Sequence, residues 1–153
     1  AKNKIEQCHS LAKLLLTDVR EAVSEIRQCS ALQLESALNA LIENIPNLSV
    51  QLDYDHALEI NDVTVAETIL RCVQESLTNS LKHGNAKHFF IELKRQDDGL
   101  VLTLRDNGKH SSQIKEGNGL LGIKERVTAL GGKVLFRSSE MGFVTQLNLP
   151  EFR

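Results

Sequence analysis

The chain has 153 residues, 41% hydrophobic and 25% charged, which fits one folded domain, or a small domain plus one extra element, and excludes disorder over its bulk. Eighteen Lys and Arg against twenty Asp and Glu leave a formal charge of −2, a balance that argues against broad electrostatic binding of nucleic acid or an anionic membrane. Cys8, Cys29 and Cys72 form no C-x-x-C and read as free thiols rather than a zinc or redox motif; no apolar run approaches the ~20 residues of a membrane span, and no signal peptide opens the chain.

Residues 1 to about 28 read as one amphipathic helix. Ile5, Cys8, Ala12, Leu15, Val19, Ala22 and Ile26 recur in alternating steps of three and four, a heptad seam. Leu11, Leu14, Leu16 and Val23 widen it on both sides, so the helix needs more than one neighbour. A helical bundle, dimeric in its simplest form, meets that need; packing on the following domain is the alternative. Gln28-Cys29-Ser30 breaks the seam and divides the chain into residues 1–30 and 31–153. A second helix carries Leu34, Leu38, Leu41 and Ile45 on one face and stops at Pro46. Leu48, Val50, Leu52 and Tyr54 then alternate as one face of a strand.

A third helix runs from the N-cap Asp62 to His83, where Gly84-Asn85 stops it. Strands over about 87–95 and 100–105 follow, joined by Gln96-Asp97-Asp98-Gly99 with Asp-Gly as the hairpin signal. A polar, glycine-bearing loop from Asn107 to Asn118 leads into a short helix, about 120–130, with Leu120, Ile123, Val127 and Leu130 on one stripe. Gly131-Gly132 ends that helix, and two last strands, about 133–137 and 143–149, precede Pro150. The order predicts an α+β two-layer sandwich, one mixed sheet with helices on one face, preceded by the coiled-coil-like helix.

Three places carry polar groups that chemistry could use. On the third helix, at ~100° per residue, Ala66, Ile69, Leu70, Val73, Leu77, Ser80 and Leu81 cluster on one side. Glu75, Asn79 and Lys82 lie opposite, with His83 at the edge. That face could hold a divalent ion through Asn79 and a phosphate through Lys82, or be a solvated surface. In the second hairpin strand, period two puts Asp106 on the buried face with Leu100, Leu102 and Leu104. A carboxylate there needs donors, such as an adenine amino group; alternatively the strand ends at Arg105 and Asp106 caps the Asn107-Gly108 turn. The run Gly117-Asn118-Gly119-Leu120-Leu121-Gly122 enters a helix directly, which suits a phosphate cradle or a merely flexible loop. It is not the dinucleotide fingerprint, since no strand feeds straight into it.

Taken in order, Glu75-x-x-x-Asn79-x-x-Lys82-His83, Asp106-Asn107-Gly108 and Gly117-x-Gly119-Leu120-x-Gly122 resemble the three nucleotide-binding boxes of the GHKL ATP-binding superfamily. Within it, the stretch from Gln74 to His83 and the run from Gly119 to Val127 are most similar to sensor histidine kinases of the nitrate-sensor and bacillar-thermosensor subgroup. The resemblance spans about residues 32–150, and residues 19–27 are similar to the second helix of that family's dimerisation and phosphoacceptor hairpin. It implies a Bergerat fold holding ATP between sheet and helices. By it, Asn79 holds Mg2+, Lys82 and His83 lie near the phosphates, and Asp106 reads the adenine amino group. Asn107, Gly108, Gly117, Gly119, Leu120, Leu121 and Gly122 complete the ATP site and its lid, and Glu75 is the general base that readies the accepting histidine. The implied reaction is transfer of the ATP γ-phosphoryl group to a histidine, within a homodimer, and on to the receiver domain of a response regulator. The implied setting is the cytoplasmic domain of an inner-membrane or cytosolic bacterial sensor, with any membrane contact made by a sensor part outside this sequence.

Two departures stand out. The family's first glycine box places a glycine where this chain has His110, and its threonine after the glycine before the last strand is replaced by Phe143 after Gly142. Thr145 shares a strand face with Phe143 and Leu147 and is the remaining candidate for the pocket. None of His9, His56, His83, His88 and His110 has the expected setting of the accepting histidine. With a start at Ala1, this favours a chain that holds the catalytic half and lacks its acceptor. A protein-serine kinase of the anti-sigma type and a degenerate nucleotide-binding scaffold are the alternatives. The heptad helix argues against the first; Glu75, Asn79 and Asp106 argue against the second.

Overall fold

The computed structural model describes residues 33–150, except Asn44, Glu59, Asn61, Asn85, Asp98 and residues 109–117. The heptad helix and the 1–30 segment lie outside the described residues. Alternating apolar positions build five strands, β1 (Ser49–Tyr54), β2 (His88–Gln96), β3 (Gly99–Asp106), β4 (Lys133–Ser139) and β5 (Gly142–Leu149). They form one mixed sheet in the order β1-β2-β3-β5-β4. β1 runs parallel to β2, and the other neighbours are antiparallel. Among the described residues there are three α-helices, α1 (Gln33–Ile42), α2 (Val63–Asn79) and α3 (Asn118–Ala129).

The sheet is apolar on one face only. Phe89, Ile91 and Leu93 of β2, Leu100, Leu102 and Leu104 of β3, and Phe143, Leu147 and Leu149 of β5 are all buried, in one core with residues of the three helices. The opposite face is half-buried or exposed; there the Arg105 guanidinium lies 5.0 Å from the centroid of the Phe90 ring. α2 is the central helix and packs against both α1 and α3. It also makes the crossover that a parallel β1–β2 pair requires.

Local chemistry sets the ends of α2. The Asp62 carboxylate accepts the Thr64 N–H at 2.8 Å, which satisfies one of the unpaired donors of the first turn. Ala66, Ile69, Leu70, Val73 and Leu77 are all buried, as their spacing predicts. Cys72 lies among them; burial pushes its thiol up to about 12, so it acts as a small core residue. The far end departs from expectation. The α-helix stops at Asn79, and Ser80–Gly84 form a π-helical turn, so the residues beyond Ser80 no longer follow a ~100° wheel. Hydrophobic spacing reports which face is buried but not where the hydrogen-bond step widens.

The β2–β3 hairpin also differs in detail. Gln96 pairs with Gly99, so the strands are joined within two residues, of which Asp97 takes a φ of 51°. Gly99 already belongs to β3, where a Cβ would collide with the Leu149 carbonyl oxygen of the strand end beside it. The glycine serves close strand approach, not the turn. A second such contact lies at the start of β5. Gly142 has a φ of 138°, and a Cβ there would collide with the Asp106 carbonyl oxygen. Gly142→Ala is therefore expected to lower unfolding stability by about 2–4 kcal/mol, measured by denaturant titration. A variant as stable as the parent would contradict this contact.

Candidate functional site

The sheet face delivers one carboxyl group into the core. Along β3 the inward positions are Leu100, Leu102, Leu104 and then Asp106, which is only 3% exposed. Such a group is tolerated only when donors surround it. The Gly108 and Phe143 N–H groups donate to Oδ1 at 2.9 and 3.2 Å, and the Ser80 hydroxyl donates to Oδ2. The two readings of Asp106 thus hold together: the residue is on the buried face, and it also caps the Asn107-Gly108 turn. These donors come from β5, the turn after β3 and the π turn after α2, so the carboxyl group ties three segments together.

Asn107 is exposed and has scaffold work of its own. Its Oδ1 accepts the Lys87 and His88 N–H groups, both at 2.9 Å, and its N–H donates to the His88 carbonyl at 3.2 Å. The end of β3 is fastened in this way to the start of β2. Gly108, buried, follows directly.

The polar side of α2 lies beside this point. Glu75 is exposed, Asn79 is half-buried and, one turn on, Lys82 is exposed in the π turn. His83 belongs to the same turn, with its side chain outside the described residues. Gly117 and His110 also lie outside them. α3 begins at Asn118 rather than at Leu120, so Gly119 sits in its first turn instead of in the loop. Leu120 is buried and Leu121 partly exposed. Gly122, the fifth residue of α3, is half-buried, and a Cβ there would meet no atom within 4 Å among the described residues. The unpaired N–H groups of a helix N-terminus favour an anion.

Two buried hydroxyls make no hydrogen bond within the described residues, Thr145 Oγ1 at 0% exposure and Ser76 Oγ at 4%. Thr145 is the next inward residue of β5 after Phe143 and pairs with Leu104, the inward residue before Asp106. Ser76 lies one turn before Ser80 on α2. A buried carboxyl group and, on the neighbouring strand and helix, two unpartnered buried hydroxyls suit a polar, flat ligand edge or ordered water better than an apolar core. Ser76 and Ser80 were not expected at the site. Their signal is a serine on an otherwise apolar helix stripe, since a hydroxyl buried there needs a partner. For a divalent cation the helix offers the Asn79 amide oxygen, which fits a magnesium ion that takes its other ligands from phosphates and water. Among the described residues no group of three or more His, Cys, Asp or Glu side chains is placed to hold a metal alone.

Comparisons with known proteins identify the family and the fold. Residues 64–153 match the family described as histidine kinase-, DNA gyrase B- and HSP90-like ATPase. The sensor histidine kinase YxjM of Bacillus subtilis is 31% identical over 95% of this chain, and LnrJ of the same organism is 31% identical over 94%. The chain spans 37% of the length of each. Among solved structures, the histidine kinase domain of the Erythrobacter litoralis EL346 blue-light activated histidine kinase superposes with a TM-score of 0.64 at 20% identity, covering 78% of this chain and 60% of that one. The ATP binding domain of PrrB from Mycobacterium tuberculosis gives 0.60 at 22% identity, covering 78% of this chain and 92% of that one. The fold, the order of the boxes and the family match converge: the chain belongs to the histidine kinase-, DNA gyrase B- and HSP90-like ATPase family, and the nucleotide that goes with its fold is ATP.

Proposed function

We propose that this chain is the ATP-binding catalytic domain of a two-component sensor histidine kinase. It transfers the γ-phosphoryl group of ATP to a histidine on the dimerisation hairpin, from which a response regulator receiver domain takes it. The observation that carries this reading is the buried Asp106 carboxyl group, which accepts the N–H groups of Gly108 and Phe143 and the hydroxyl of Ser80, the residue next in chain to the Asn79 end of α2. The names of the relatives support it.

In this reading Asp106 accepts a hydrogen bond from the adenine amino group, and Thr145 lies on the same buried floor. The α3 N-terminus, with Gly119 and Gly122, lets backbone N–H groups approach the phosphates, helped by Gly108 and Gly117 in the connecting loop. Leu120, buried, anchors the first turn of α3 in the core, and Leu121 is exposed beside it. Lys82 and His83 lie toward the phosphates and lower their charge. Asn79 holds magnesium, which when bound neutralises the phosphate oxygens. Glu75, exposed one turn before Asn79, takes the proton from the accepting imidazole. Binding and positioning supply most of the rate, as expected for phosphoryl transfer. The working unit is a homodimer, and the domain is the cytoplasmic part of a bacterial sensor. No helix among the described residues is long and apolar enough to cross a membrane.

Two results test the reading. Asp106→Asn replaces an acceptor oxygen by a donor, so calorimetry is expected to show ATP binding weakened about 10- to 100-fold, the scale of one hydrogen bond to a carboxylate. Absence of nucleotide binding by the parent chain would contradict the site itself. In a protein that carries the hairpin histidine, Glu75→Gln is expected to slow labelling by radioactive ATP roughly 100-fold or more while leaving the ATP affinity unchanged. An unchanged labelling rate would remove Glu75 as the base, and an acid-stable label on serine would favour a protein-serine kinase.

A further inference from the structure

We propose that Ser80 is a positioning residue for adenine recognition: its hydroxyl fixes the plane of the Asp106 carboxyl group, so that discrimination for a 6-amino purine depends on Ser80. The inference rests on the reading of Asp106 as the adenine acceptor.

A carboxyl group can turn about its Cβ–Cγ bond, and a ligand amino group needs an acceptor oxygen in a set direction. At Asp106, Oδ1 is held by two backbone donors, Gly108 and Phe143, which any side chain at those positions would leave in place. Oδ2 takes the hydroxyl of Ser80, a donor that sequence can remove. Ser80 is 1% exposed, so water cannot readily substitute for it. The three buried hydroxyls of this floor also differ in use. Ser76 and Thr145 find no partner within the described residues, whereas Ser80 is committed to the carboxyl group. Its backbone is committed as well. The Ser80 N–H donates to the Ser76 and Leu77 carbonyls at the end of α2, and the π turn begins at Ser80 and packs on β5. The widened turn thus begins at the residue that meets the carboxyl group. Asn79, the magnesium candidate, is its chain neighbour, so the adenine and phosphate ends of the site are linked by one peptide unit.

The test compares ATP with its desamino analogue, purine ribonucleoside triphosphate, by calorimetry on the parent chain, Ser80→Ala and Ser80→Cys. The quantity read is the ratio of the two dissociation constants. A loss of folded fraction weakens both ligands by the same factor and cancels from that ratio. The expected result is a preference for ATP in the parent that falls about 3- to 10-fold in Ser80→Ala, through weaker ATP binding at unchanged analogue binding. Ser80→Cys, which keeps a weak donor of similar shape, retains an intermediate preference. An unchanged ratio in Ser80→Ala overturns the proposal, because Ser80 would then be only a core residue. So does equal weakening of both ligands. A parent chain with no preference between the ligands overturns the Asp106 reading itself, and the parent arm separates that failure from a failure of Ser80 alone.

Discussion

A buried carboxyl group without donors costs several kcal/mol, and the rest of this molecule is arranged around supplying them at Asp106. Among the described residues, donors to it come from Ser80, Gly108 and Phe143, in three separate segments. To bring them together, α2 must cross the sheet and end over β3, the chain must turn sharply after β3, and β5 must start beside β3's last residue. Gly142 makes the last of these possible, since a side chain there would strike the Asp106 backbone. The hydrogen bonds of Asn107 to Lys87 and His88 hold the same corner from the β2 side. One corner of the sheet is thus the place where helix, turn and strand are mutually fixed.

A site at that corner combines rigidity with access. Its floor is core: Leu104, Phe143 and Leu77 are buried beside the carboxyl group's own strand and helix. Its polar side is the end of α2 and the turn after it, with Glu75 exposed on the helix, Asn79 half-buried and Lys82 exposed in the π turn. In α3, a Cβ on Gly122 would meet no atom among the described residues. In the proposed reading a flat, polar ring end goes against the buried oxygens and a charged tail toward the α3 N-terminus and Lys82. This division is what a nucleoside triphosphate asks of a protein, and it explains why binding can be strong at one end and chemistry exposed at the other.

Much of this was legible in the sequence, because two periodicities carry the information. Period two along Leu100, Leu102, Leu104 and Asp106 puts the carboxyl group on the buried face, with a turn cap as the equal alternative, and the helical period of Ala66, Ile69, Leu70, Val73 and Leu77 puts Glu75 and Asn79 away from it. The N-cap at Asp62 and the stripe of Leu120, Ile123 and Val127 were equally plain. The misses share a cause: they depend on contacts between segments distant in sequence. Gly99 looked like a turn residue, but its need for space arises from Leu149 across the sheet. Ser80 looked like a tolerated serine on an apolar stripe, and only the arrival of Asp106 from β3 gives it a partner. The π turn has no hydrophobic signature, since it alters the hydrogen-bond step and not the burial of Leu77 or Leu81.

The central claim is that the Asp106 carboxyl group reads the base of ATP. The most direct measurement is a crystal structure of this chain with magnesium and a non-hydrolysable ATP analogue. The exocyclic amino nitrogen of adenine is expected about 3 Å from an Asp106 carboxyl oxygen, with Ser80, Gly108 and Phe143 still donating to that group. Adenine bound elsewhere, or an Asp106 that keeps its three internal donors and makes no contact with the base, would contradict it.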